Sequence, residues 1–198
     1  MRCHSALLLP ALFCAPLQAH EFTITNVTIV FPGNGMYQID MSVDADALAL
    51  GLPPETESAI VVARMNELPD GEFEDAVALA RQTTQRRVRV RFDGEKAIPD
   101  VEFPHYGTPA ATEAEVPTVL GTIARMTGQI PPGSKEITFG ASRVFKTVDL
   151  KIFDPAQPQP TAFLIGVGQD SPPYFLGRSV QPSQNVFWNY LKLGFTHI

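Results

Sequence analysis

Cysteine is nearly absent. The only two, Cys3 and Cys14, fall at the very start of the chain. If that stretch is removed on export, the mature chain has no cysteine. Disulfides, thiolate metal sites and a cysteine nucleophile are then excluded. Charge is also sparse, at 18% of residues, and it leans acidic, with 15 basic against 21 acidic side chains. The net charge of -6 gives no basic excess to neutralise a phosphate backbone, so nucleic acid is not an expected partner. Catalytic signatures are missing as well. There is no Gly-x-Ser-x-Gly elbow, phosphate loop or His-Glu-x-x-His pair. Gly166-Val167-Gly168 begins like a dinucleotide fingerprint, but no third glycine follows, and a turn is the better reading. His20, His105 and His197 show no spacing that would build a serine triad. The expectation is a protein that is not an enzyme.

Proline, at 18, and glycine, at 14, are plentiful. That punctuation favours short strands and turns over long helices. The 198 residues fit one domain plus flanking segments.

The first segment reads as an address. Arg2 supplies a positive start, residues 6–17 carry no charge, and small Ala19 stands at a candidate cleavage position. This is the three-part pattern of a secretory signal peptide. The apolar run falls short of the roughly 20 residues a membrane helix needs. Pro10 and Pro16 argue against a buried helix. The expected division is a signal peptide over 1–19, an extracytoplasmic β-sandwich over 20–180 and a juxtamembrane segment over 181–198.

The body reads as strands. Phe22, Ile24, Val27, Ile29 and Phe31 lead to the turn cluster Pro32-Gly33-Asn34-Gly35. Tyr37, Ile39, Met41 and Val43 then alternate with Gln38, Asp40, Ser42 and Asp44, as in a strand with one wet face. Residues 45–85 are richer in alanine and leucine and read as a helical insertion. There Asp70 is placed as a cap, with Phe73, Val77 and Ala80 on one stripe. Val88, Val90 and Phe92 resume the alternation, with Arg87, Arg89 and Arg91 on the outer face. Asp93-Gly94 is a preferred hairpin turn, and residues 97–103 are expected to be the returning strand. Further strands are expected over 119–126, 137–139, 147–153 and 162–167. The fold class that follows is all-β, an immunoglobulin-like antiparallel sandwich with a small helical insertion.

Candidate chemistry centres on metal. Cleavage after Ala19 would put His20 at the mature N-terminus, where the α-amino group and imidazole could chelate nickel or copper. Glu21 could assist and His105 could add a distal nitrogen. The row Arg87, Arg89 and Arg91 could hold phosphate or lipid head groups, but a solvated face paired with acidic neighbours is the plainer account. Asn26-Val27-Thr28 matches a glycosylation sequon, relevant only in a eukaryotic secretory route.

Residues 186–198 hold the only tryptophan, Trp188, with Tyr190 and Lys192. Such side chains favour the head-group level of a bilayer. The stretch Tyr190-Leu191-Lys192-Leu193-Gly194-Phe195-Thr196-His197-Ile198 resembles the tract that opens the membrane region of the HupE/UreJ-like family. Softer similarities are His20 after the signal, Arg91-Phe92-Asp93-Gly94, Gly128-x-Ile130-Pro131-x-Gly133 and Gly168-Gln169-Asp170-Ser171-Pro172. The resemblance implies an extracytoplasmic sandwich attached to a nickel or related metal permease. It also implies His197 as one of the family's motif histidines, so the expected metal residues are His20 and His197. The family's Gly-x-Asp-His motif and transmembrane helices are not in this sequence, and the expectation is a chain truncated before them.

The leading expectation is thus a non-enzymatic, membrane-tethered periplasmic domain. Its partners would be the cytoplasmic membrane or a transmembrane segment, and a metal ion. The rival is a free periplasmic copper-binding sandwich using His20. A third reading is a carbohydrate or adhesion module stacking sugars on Tyr174, Phe175 and Trp188.

Overall fold

A computed structural model describes residues 24–53, 56–106 and 118–177. The fold is mostly β, with two sheets and three helices. In chain order the elements are β1 (Ile24–Gly33), β2 (Met36–Ser42), α1 (Ala45–Leu50), α2 (Ser58–Glu67) and α3 (Asp70–Arg87). Then come β3 (Val88–Phe92), β4 (Glu95–Ala97), β5 (Asp100–Glu102), β6 (Ile123–Gln129) and β7 (Glu136–Ala141). A short 3-10 turn (Arg143–Phe145) leads to β8 (Thr147–Phe153), β9 (Thr161–Ile165) and β10 (Tyr174–Phe175). The larger sheet runs β5-β6-β2-β1-β8-β9 and the smaller β10-β7-β3-β4.

Alternation in the sequence becomes burial. Tyr37, Ile39, Met41 and Val43 are buried, while Gln38, Asp40, Ser42 and Asp44 are not. Val88, Val90 and Phe92 do the same from the smaller sheet. The inward faces of both sheets share one core with α1 and α3. Tyr37 and Phe92 meet across it, their ring centroids 5.2 Å apart. Full burial of side chains such as Ile29, Ile39 and Leu150 contributes roughly 1.5–3 kcal/mol each. Both tight hairpins use two left-handed residues, Asn34-Gly35 and Asp93-Gly94. That backbone twist matches the strands it joins.

The structure revises several expectations. The sandwich is not wholly antiparallel. β1 pairs antiparallel with β2 but parallel with β8, from Ile24↔Thr147 to Val30↔Phe153. Alternation reports which face of a strand is buried and says nothing of its neighbour's direction. The helical insertion, expected over 45–85, consists of three helices and runs two residues further. α3 extends through Arg86 and Arg87, so Arg87 belongs to a helix end and not to the strand face. Cationic side chains suit that position, where helix carbonyls lack partners. Asp70 is not the cap. Pro69 holds that position and Asp70 opens the helix, beside the positive end of its dipole.

The strand expected over residues 97–103 divides. β4 ends at Ala97, Pro99 follows, and β5 crosses to pair with β6 in the other sheet. Proline has no N–H for a ladder. The Pro99 carbonyl instead accepts from Gln85 Nε2 at 2.8 Å, which fastens the crossing point to α3. Similarly, residues 119–122 do not join β6, which begins at Ile123.

Candidate functional site

A cleft of about 310 Å³ opens beside α1, bounded by the start of β1, the end of β2, the end of α3 and the 3-10 turn. The local sequence builds it. Asp44 ends the strand alternation and caps α1, its Oδ1 accepting from Ala47 N at 2.8 Å. Burial, then the nearby Asp46 charge, push the Asp44 carboxyl above its ordinary range against the pull of that N–H. Gly51 closes the helix in a left-handed conformation, and Leu52 N reaches back to Ala47 O at 2.9 Å. This Schellman-type end turns Leu52 and Pro53 onto the cleft wall.

The opposite wall is fixed separately. Ser142 N donates to Arg87 O at 2.8 Å. Thr25 Oγ1 donates to Phe145 O, joining the first strand to the 3-10 turn. Lys146 follows with φ 56 and ψ -148, a backbone region that glycine accepts and side-chain-bearing residues avoid. Among the described residues the lining is apolar along Val43, Ala47, Leu48, Leu52, Val144 and Phe145, and it includes the cations Arg87 and Lys146. Among the described lining residues Asp44 is the only carboxylate, and its Oδ1 already accepts from the helix. Among the described residues Arg87 has no ion pair. The size lies at the lower end of small-molecule sites, which run about 300–1,000 Å³.

Asp46, in the first turn of α1, lies outside the cleft lining. It is 1% exposed, and its carboxylate accepts from Val119 N at 2.7 Å, Leu120 N at 2.8 Å and Thr118 Oγ1 at 3.0 Å. All its visible partners are structural, so it anchors residues 118–120 to α1.

The arginine row is divided and paired. Arg89 and Arg91 project from β3 onto one carboxylate, with Arg89 Nε 2.8 Å from Asp170 Oδ1 and Arg91 Nη1 2.7 Å from Oδ2. Arg89 also donates to Gly168 O at 3.1 Å. Burial raises the Asp170 pKa, but the two guanidinium groups outweigh it and hold the carboxyl below its usual value. The acidic-neighbour account of this face therefore holds, and the loop carrying Gly166, Val167 and Gly168 is a turn as expected. Tyr174, considered for sugar stacking, is 1% exposed. Its hydroxyl donates to Asp154 Oδ2 at 3.0 Å. It is a core residue.

The expected metal residues His20 and His197 lie outside the described residues, as do Glu21 and Trp188. His105 is described and packs against Gly121, where a Cβ would stand 2.5 Å from the His105 Cβ. Among the described residues no three metal-ligating side chains come together. Sequence reasoning missed the cleft. Its walls come from separated segments, and nothing in a lone lysine signals a left-handed backbone. No protein-family model matches the chain, and no curated protein does either.

Proposed function

We propose that this chain is the exported, non-enzymatic N-terminal part of a HupE/UreJ-like membrane protein. In that reading residues 1–19 direct export, and an immunoglobulin-like sandwich stands outside the cytoplasmic membrane. The final residues lead toward membrane-spanning segments. The domain serves metal delivery, sensing or partner docking for a nickel or related metal permease. The observation that carries the reading is the stretch Tyr190-Leu191-Lys192-Leu193-Gly194-Phe195-Thr196-His197-Ile198. A mostly β, two-sheet body is compatible with it. Among the described residues no helix is long and apolar enough to cross a membrane, so any span would have to lie elsewhere.

Reading the DNA beyond codon 198 tests the proposal. The expected result is a continuing frame that encodes Gly-x-Asp-His and several apolar spans of about 20 residues. A stop codon with no hydrophobic frame in any nearby phase would overturn it.

The second reading is a free periplasmic copper protein that uses His20 as its mature N-terminus. What favours it is the position of His20 directly after the candidate cleavage residue Ala19. N-terminal sequencing of the exported protein should begin at His20. Copper and nickel titrations should then separate the mature protein from a His20→Ala variant. Equal, weak binding by both removes the site.

A further inference from the structure

We propose that the cleft beside α1 binds a small amphipathic carboxylate, an alkyl-chain acid whose chain lies on the apolar wall and whose head meets Arg87. The inference does not depend on membrane anchoring or on metal.

Three observations converge. First, the concavity is the right size for a small molecule and is walled by apolar side chains from both sides, Leu48 and Leu52 on one and Val144 and Phe145 on the other. An apolar body entering it releases water from those surfaces. Second, the described lining offers Arg87 as a cation, while its described carboxylate, Asp44, has Oδ1 committed to the cap of α1. Arg87 is exposed and makes no ion pair among the described residues. Guanidinium is the side chain best matched in geometry to a carboxylate, which it can take through two parallel hydrogen bonds. Third, the chain keeps a lysine where its backbone favours glycine. Lys146 sits at φ 56 and ψ -148 on the cleft wall. Such positions cluster at ligand sites, where the cost is tolerated for what the side chain does. An amine or a neutral amphiphile would satisfy the first observation but not the second.

Titration of the purified chain with octanoate, octylammonium and acetate tests the proposal, read by calorimetry and by amide NMR shifts. Octanoate should saturate, with shift changes at Val43, Leu48 and Val144. Octylammonium lacks the anion and acetate lacks the chain, so neither should saturate over the same range. Arg87→Gln should weaken octanoate about tenfold, the scale of one charged hydrogen bond. Because Arg87 is exposed, an unchanged melting temperature is the control for folding. Absence of saturable octanoate binding would overturn the proposal. Equal binding of octylammonium, shifts confined to another surface, or an Arg87→Gln variant that binds as tightly as the parent would overturn it as well.

Discussion

Gly140 and Asp170 form an isolated antiparallel bridge, and the missing side chain of one makes room for the other. A methyl group on Gly140 would stand 1.9 Å from Asp170 Oδ1 and 2.7 Å from Arg89 Nη2. Both obstacles are side-chain ends, but they are tied to each other and to Arg91, so neither can retreat without losing partners.

Gly140→Ala should therefore cost about 1 kcal/mol in denaturant unfolding, the scale of a partly exposed ion-pair network. In an Asp170→Ala background the same substitution should cost markedly less, because the obstacle is gone. Equal penalties in both backgrounds would show that the two residues do not communicate.

The same carboxylate sets an acid limit. Its folded-state pKa lies below the unfolded value of about 3.9, so its contribution is complete above that value and fades as pH falls toward the folded one. Thermal melts should show the parent losing more stability than Asp170→Asn as pH drops from neutral through that window. Parallel pH profiles for the two proteins would contradict the assignment.

Asp46 is a stiffer test because it is buried. Asp46→Ala strands the Val119 and Leu120 amides, which its carboxylate satisfies. A loss of about 3 kcal/mol in unfolding free energy is expected, the scale of hydrogen bonds to a charged buried group. A loss below about 1 kcal/mol would mean that water reaches those amides.

Lys146→Gly should move the other way. Glycine takes the left-handed backbone at φ 56 without the Cβ clash, and a gain of about 1 kcal/mol is expected in the same assay. Stability unchanged or lowered would show that the lysine side chain contributes more than its backbone costs.

Much of the sandwich was legible because burial alone dictates it. Period-two alternation at Tyr37, Ile39, Met41 and Val43 and at Val88, Val90 and Phe92 identified the inner faces, and Asp93-Gly94 identified a hairpin. What was not legible depends on long-range geometry. The parallel seam of β1 on β8 and the crossing of β5 to the other sheet leave no local pattern. The helix reached Arg87 because a basic stretch before a β run suits a helix terminus as well as a strand face. The cleft was invisible for the same reason. Thr25, Asp44, Arg87 and Lys146 are far apart in sequence and meet only in the fold.

The parallel seam also sets the order in which the molecule can be completed. β1 can form its hairpin with β2 at once, but its other edge stays open until β8 has been supplied. Thr25 waits for Phe145, 120 residues away. Contacts of such separation slow folding, since the loop must close before the contacts reward it. A chain emerging from its N-terminus would thus carry a strand edge with unpaired backbone N–H and C=O groups through most of its synthesis or translocation. Truncations ending before Thr147 should remain aggregation-prone intermediates, and folding should become cooperative only when the segment from β8 onward has arrived.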